Sequence, residues 1–163
     1  MPMEIRKNVR GIAHDTDVAR ITLMRVPDRP GIAAAIFQPL AEANVSVDTI
    51  AQSSGADGTT DISFTVSRDS LSRTLELVQQ IAPHIGAERV DPADDLAKVS
   101  IVGTGMQSAP GYAARMFGAL ASAGVNIAII STSDIRITCV VPRDRAEDAV
   151  RVLHTTFELD RKD

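Results

Sequence analysis

The strongest candidates for binding chemistry in this chain lie in one short turn with the sequence PDRPG, which precedes a predicted helix. Proline followed by glycine favours a helix start, so the main-chain N–H groups of Gly31, Ile32 and Ala33 would point outward at a helix N-terminus, where a carboxylate binds well. Glycine also lets a ligand approach the backbone closely. Asp28 stands just before these residues and could pair with an ammonium or a hydroxyl group. The turn is therefore suited to binding a small polar molecule.

Each of these residues also has a simpler structural explanation. Asp28 could only stabilise the helix N-terminus through its charge, and Gly31 could be a turn glycine with no ligand. Gln52, late in the next predicted strand, carries an amide that can donate and accept hydrogen bonds, but it could equally be a surface polar residue. The residues alone leave both explanations open.

Nothing in the sequence indicates a catalytic or metal site. The single cysteine, Cys139, lies in the apolar stretch ITCVV, where a small core residue is expected. The three histidines fall in different predicted elements, and no Cys/His cluster has metal-site spacing. Residues 103–111, GTGMQSAPG, place glycines between a strand and a helix but fit neither P-loop nor dinucleotide spacing. We therefore expect no catalytic residue, no metal and no cofactor.

Composition and charge narrow the function classes further. The chain has 163 residues, 44% of them hydrophobic but only 3% aromatic, so its core must be largely aliphatic. The shortage of aromatic rings argues against stacking on RNA or single-stranded DNA, and the net charge of −4 argues against binding nucleic acid or an anionic membrane. The N-terminus lacks a signal peptide, and no apolar stretch approaches the roughly 18 residues of a membrane span. We expect a cytoplasmic protein.

The sequence contains nearly the same segment twice. VPDRPGIAAAIFQPLAEANVSV at 26–47 and GMQSAPGYAARMFGALASAGVNI at 105–127 align over about twenty residues when their Pro-Gly pairs are superposed. The two turns differ in charge, because Ser108 and Ala109 stand near the positions that Asp28 and Arg29 occupy in the first. Gly124 follows the predicted helix of the second segment and is suited to a left-handed cap.

Each repeat has the pattern strand, helix, strand, strand, helix, and the first has a further strand. The predicted strands are 19–26, 45–53, 59–67 and 86–92 in the first repeat and 97–104, 125–133 and 134–142 in the second, with closing helices at 71–85 and 145–159. This is the ferredoxin-like βαββαβ plan of the α+β class. The second repeat lacks a fourth strand, and the segment 7–15 has no other assignment, so we predict that this N-terminal segment completes it. The predicted domains are residues 16–92 and residues 7–15 with 93–160.

The amino-acid sequences of both repeats resemble a known protein family. A strand, the acidic PDRPG turn, a helix and NVSVD resemble the ACT domain, a small-molecule sensing module of amino-acid metabolism. KVSIVGTGMQSAPGYAARMF, followed by VNIAIISTSDIRI, closely resembles the tandem ACT region of aspartokinases, which phosphorylate aspartate at the start of lysine, threonine and methionine synthesis. GIAHD and DGTTDISFTV fit the same family, and the resemblance extends from about Val9 to Leu159.

The resemblance implies a regulatory role. No segment resembles the kinase domain, so the chain looks like the small regulatory beta subunit of an aspartokinase or the regulatory region of one. The implied partners are threonine, with lysine as a second candidate effector, a second copy joined through the ACT domains, and a catalytic alpha subunit. Feedback inhibition requires that the effector bind one arrangement of the units better than another. The alternative is a stand-alone ACT sensor that controls another enzyme or a transcription factor.

The resemblance also extends the candidate site. It places threonine against Asp28, Gly31, Ile32, Ala33 and Gln52 of the first repeat, with the second repeat of a partner chain completing the site. The partner residues it implies are Asn126 and Ile127. Two positions match residues linked in some members to a second effector, often lysine, and these are Asp48 and Ser133.

Three departures from the family pattern concern these sites. Many members have a histidine where this chain has Ala109, and many have QNVS where residues 52–55 read QSSG. Some lysine-responsive members have a hydroxyl residue where this chain has Ala113. We expect the threonine site to tolerate these differences, whereas they weaken the case for lysine.

Overall fold

The same order of helices and strands occurs twice along the chain. The computed structural model describes residues 9–106 and 111–159, and within them ten α-helices and strands follow one another, the last five in the same order as the first five. They are β1 (Val9–Pro27), α1 (Ile32–Glu42), β2 (Ile50–Ser54), β3 (Thr59–Val66), α2 (Leu71–Ile85), β4 (Arg89–Gly103), α3 (Tyr112–Ser122), β5 (Ile129–Thr132), β6 (Arg136–Pro142) and α4 (Ala146–Thr156).

The chain divides into two compact units, and two strands contribute to both. The first unit is Asp17–Asp94, and the second consists of the described residues of Met1–Thr16 and Asp95–Asp163. Residues 9–16 of β1 and 95–103 of β4 therefore belong to the second unit, although the rest of each strand belongs to the first.

Each unit has the strand order of a ferredoxin-like fold. The strands of the first unit lie in the order β2-β3-β1-β4, and those of the second lie in the order β1-β4-β6-β5. The β1–β3, β2–β3, β4–β6 and β5–β6 pairs are all antiparallel. Two helices accompany each set of strands, so the predicted α+β, ferredoxin-like class is confirmed.

Each unit has its own aliphatic core, built from one face of the strands and one stripe of each helix. In the first unit, alternate residues of β1 and β3, such as Ile21 and Phe64, are fully buried, and so are Ile36 and Leu40 of α1. In the second unit Leu120 of α3 is fully buried. It is one of several core residues that recur at helical spacing along α3. Each such side chain contributes about 1.5–3 kcal/mol of burial free energy, which anchors the turn before each helix.

Both helices that follow a Pro-Gly pair end in the same way. At the end of α3, Gly124 is left-handed with φ 71°, its N–H donates to the Ala121 carbonyl oxygen, and the next N–H, that of Val125, reaches back to Leu120. Asn44 takes the same role after α1 with φ 63°. These are Schellman motifs, and the predicted left-handed cap at Gly124 is confirmed.

The predicted strand limits were wrong in two ways. The segments 45–53 and 125–133 were expected to be strands, but β2 and β5 begin only at Ile50 and Ile129, because the N–H groups of Val45 and Val125 bond to the preceding helix. The segments predicted separately as 86–92 and 97–104 form the single strand β4, and 7–15 joins 19–26 in β1 from Val9 onward. β1 and β4 are hydrogen-bonded neighbours, and this pairing keeps both extended.

Candidate functional site

The turn between β1 and α1 presents an open helix N-terminus. Gly31 is the N-cap residue, with φ +90°, a conformation that L side chains rarely adopt. Apart from its chain neighbours and the adjacent helix backbone, no described residue has a heavy atom within 4 Å of the position that a Cβ would take there, so a ligand can approach this part of the backbone. Because the N-cap residue is a glycine, it has no side chain to cap α1. Ile32 is buried, and its main-chain N–H donates to the Arg29 carbonyl oxygen at 3.3 Å, whereas Ala33 is exposed.

Asp28 is held at this turn by the loop between β2 and β3. Its main-chain N–H donates to the carbonyl oxygen of Gly58 at 3.0 Å, and the Ser54 hydroxyl lies 3.4 Å from the Asp28 Oδ2 atom, which it approaches as a donor. The carboxylate is exposed. A negative charge therefore stands beside an uncapped helix N-terminus, and the two can bind opposite charges of one small molecule.

Gln52 lies on the same face of β2 as Ser54, because residues two apart on a strand point the same way. It is exposed and pairs in register with Ile62 of β3, as Ser54 pairs with Thr60. Since Ser54 contacts Asp28, the amide of Gln52 projects on the sheet face that meets the Asp28 turn. Asp28, Gly31 and Gln52 thus all lie in the first unit, and Ser54 links Asp28 to the face of β2 that carries Gln52.

The remaining two threonine-site candidates lie in the second unit. Asn126 is exposed in the segment between α3 and β5. Ile127 is half-buried and packs against the core of the second unit. Gly111, the N-cap of α3, has φ +105°, and among the described residues beyond its chain neighbours and the helix backbone nothing lies within 4 Å of a Cβ position there. The residues compared with Asp28 and Arg29, namely Ser108 and Ala109, lie outside the described residues.

The two candidates for a second effector lie in different units, Asp48 in the first and Ser133 in the second. Asp48 is exposed, and its N–H donates to the carbonyl oxygen of Thr65 at 3.1 Å. Thr65 is near one end of β3, whereas Asp28 contacts the loop at the other end. Ser133 is exposed in the second unit, directly after β5, and its N–H donates to the carbonyl oxygen of Arg136 at 2.8 Å.

Sequence reasoning missed a charged cluster beside the Asp28 turn. Arg25 forms ion pairs with Asp57 and Glu88, each at 2.7 Å, at a cleft of about 360 Å³ next to the β2–β3 loop. Hydrogen bonds from the Thr59 hydroxyl and main-chain N–H lower the pKa of Asp57, with a smaller contribution from the Arg25 charge. The sequence gives no local signal for this cluster, because its members are far apart in the chain and each resembles an ordinary surface charge.

Within residues 9–106 and 111–159, no group of three or more His, Cys, Asp or Glu side chains could hold a metal ion. Over the same residues, no helix has the length and apolar character required to cross a membrane.

Comparison with known proteins places both units in one family. Two ACT-domain models match, one over residues 20–83 and the other over residues 99–157. The aspartokinase of Pseudomonas aeruginosa is 48% identical over 93% of this chain, and that of Thermus thermophilus is 45% identical over 98%. The chain spans only 37% and 40% of the length of these two curated relatives.

Two solved structures match over almost their whole length. The regulatory subunit of aspartate kinase from Thermus thermophilus, in its ligand-free form, is 43% identical with a TM-score of 0.88, covering 93% of this chain and 99% of that one. A chain from a structure of aspartokinase alpha and beta subunits is 45% identical with a TM-score of 0.87, covering 92% and 99%. The protein therefore belongs to the family of aspartate kinase regulatory subunits and corresponds to the part of an aspartokinase that carries its two ACT domains.

Proposed function

We propose that this chain binds threonine at the Asp28 turn and thereby mediates feedback inhibition of an aspartate kinase. The observation that carries the proposal is the exposed Asp28 carboxylate beside the uncapped N-terminus of α1. An amino acid carries one positive and one negative group, so its carboxylate would accept hydrogen bonds from the N–H groups of Gly31 and Ala33 and would share that of Ile32 with the Arg29 carbonyl oxygen. Its ammonium group would pair with Asp28.

Gln52 would complete the first-unit part of this site. Its amide lies on the face of β2 that also carries Ser54, which contacts Asp28. An amide can donate to and accept from the hydroxyl group of a threonine side chain. This geometry favours an effector with a short polar side chain over an aliphatic one.

A second copy of the chain would supply the rest of the site. β2 and β5 each end the strand order of their unit, and each carries an exposed isoleucine, Ile50 at 55% and Ile130 at 51% exposure. An edge strand with an exposed apolar side chain favours pairing with another strand. We propose a homodimer in which these edges pair and Asn126 and Ile127 of one copy face the Asp28 turn of the other.

Four further assignments accompany this proposal. Lysine is proposed as a second effector near Asp48 and Ser133. A catalytic alpha subunit is the proposed partner, by analogy with the relative whose structure contains alpha and beta subunits, and the cytoplasm is the proposed location. The proposed ACT domain limits remain 16–92 and 7–15 with 93–160.

Inhibition would follow from unequal binding. Threonine shifts the kinase toward a low-activity state only if it binds the paired ACT units better in that state. The chain itself would take no part in the chemistry of phosphorylation, and no cofactor is needed for this role.

Calorimetric titration with threonine and then lysine, with molar mass followed by light scattering, tests the proposal. We expect a dimer that binds threonine, and Asp28→Ala should weaken that binding. Asp94→Ala is the matched control, because Asp94 is an exposed aspartate of the same unit outside the turn. Equal threonine affinity in the wild type and Asp28→Ala would refute the site, and absence of binding in the wild type would refute the effector.

A further inference from the structure

We infer that Arg25 is a positioning residue for the proposed threonine site: its guanidinium group holds the β2–β3 loop, and that loop holds Asp28. The inference rests on the proposed function for its ligand, but the contacts that support it are independent of any ligand. Arg25 itself would not touch the effector.

The first step is an unusual backbone at Arg25. The pairing of β1 with β3 shifts register between Leu23 and Val26, and within this bulge Arg25 has φ 53°. The left-handed region suits glycine and is uncommon for a side chain as long as arginine. The Arg25 N–H donates to the Asp61 carboxylate at 2.8 Å, which fixes the bulge to β3.

The second step is a bridge made by the side chain. The Arg25 Nη2 atom lies 2.7 Å from Asp57 Oδ2, in the β2–β3 loop, and its Nε atom lies 2.7 Å from Glu88 Oε2, just before β4. The Glu88 N–H also donates to the Met24 carbonyl oxygen at 2.9 Å. The guanidinium group thus ties the β2–β3 loop both to β1, which carries Arg25, and to Glu88 before β4.

The third step leads from the loop to the site. The Asp57 carboxylate accepts hydrogen bonds from the Thr59 N–H at 3.2 Å and the Thr59 hydroxyl at 2.5 Å, which closes the loop around Gly58. The Gly58 carbonyl oxygen then accepts the Asp28 N–H at 3.0 Å. A change in the position of Asp57 would therefore reach Asp28 through a single intervening residue.

The unusual backbone and the bridge together point to a role for the side chain. Non-glycine residues persist in sparsely populated conformations when their surroundings hold them there, and such residues cluster at binding sites. Glycine would fit the φ of this position better but could not form either ion pair. Arg25→Gly therefore removes the bridge without opposing the bulge, so the fold should be retained.

The test compares threonine affinity in the full chain, Arg25→Gly and a control. The control is Arg89→Ala, which removes an exposed ion pair to Asp91 in the same unit but outside the loop. Because exposed ion pairs are individually weak, we expect Arg25→Gly to weaken threonine binding about fivefold at low salt. The difference from the wild type should shrink in roughly 1 M salt, where exposed charges are screened. Arg89→Ala should bind as the wild type does.

Hydrogen exchange provides a readout that needs no ligand. We expect the amide proton of Asp28 to exchange faster in Arg25→Gly, while that of Ile36 in the core of α1 stays unchanged. An unchanged exchange rate at Asp28 overturns the inference, and so does unchanged threonine affinity or a loss that does not depend on salt. If the wild type binds no threonine, the proposed function fails, and the exchange at Asp28 alone decides the role of Arg25.

Discussion

The Asp28 carboxylate offers two separable properties, its charge and its capacity to accept a hydrogen bond. Asp28→Asn keeps an oxygen that can accept from Ser54 but removes the charge that would pair with an ammonium group. Since hydrogen bonds to charged groups are stronger than neutral ones by about 1–1.5 kcal/mol, threonine affinity should fall about tenfold. Calorimetry of this variant beside Asp94→Asn measures the difference. Wild-type affinity in Asp28→Asn would show that the ammonium group is bound elsewhere.

Cys139 should make the stability of the protein depend on alkaline pH. Burial raises the pKa of this thiol from 9.0 to about 11. Well below pH 9 the thiol is neutral whether the chain is folded or unfolded, and there it contributes nothing to the pH dependence. Between pH 9 and 11 only the unfolded chain loses the proton, so the free energy of unfolding should fall by at most about 1.4 kcal/mol per pH unit.

Urea unfolding at pH 8 and pH 10 measures this contribution. Cys139→Ala lacks the thiol and should lose less stability between the two pH values than the wild type does. An equal loss in both proteins would mean that other groups account for the whole dependence.

At the scale of the helix, two glycines close together in the chain should respond in opposite ways to alanine. Gly124 is left-handed with φ 71° after α3, so Gly124→Ala should destabilise the protein by about 1 kcal/mol. Gly118 is exposed within α3, and a Cβ there would meet nothing within 4 Å. Gly118→Ala should stabilise the protein by about 0.5–1 kcal/mol, because alanine has the higher helix propensity. Urea unfolding compares the two, and effects of equal sign would contradict the assignment of the cap.

The elements that repeat in the sequence were the ones that could be predicted from it. The Pro-Gly pairs, the helical spacing that ends at Leu40 and Leu120, and the glycine at 124 all depend on neighbours in the chain, so their structure follows from local pattern. The starts of β2 and β5 could not be predicted, because bonds from Val45 and Val125 back to the helix end decide them. The order of apolar and polar residues does not indicate whether an N–H group will bond to a neighbouring strand or to the end of the preceding helix.

The candidate site could likewise be predicted only where it depends on residues close together in the chain. The Asp28 turn and the open backbone at Gly31 follow from a short motif, so the sequence indicated them. The role of Arg25 depends on Asp57, Asp61 and Glu88, which are 32, 36 and 63 residues away in the chain. Only folding brings these charges together, and alternation along β1 gives no sign of the bulge between Leu23 and Val26.

At the scale of the whole molecule, the exposed edge strands predict how two copies associate. Ile50→Lys and Ile130→Lys place a charge on β2 and β5, and each should shift the dimer toward the monomer in light scattering. Ile135 is the control, because it is 54% exposed but lies between β5 and β6 rather than in a strand. Threonine affinity should fall along with the dimer fraction. A dimer that persists in both edge variants would place the interface elsewhere.

The division of β1 between the two units has a consequence for synthesis on the ribosome. Residues 9–16 belong to the second unit, but they are made before the whole of Asp17–Asp94. At 5–20 residues per second, this strand waits roughly 4–16 s before any other strand of its own unit emerges. The first unit can fold during that interval, since its residues are contiguous. The sheet of the second unit is thus the last to close, although one of its strands is made before any residue of the first.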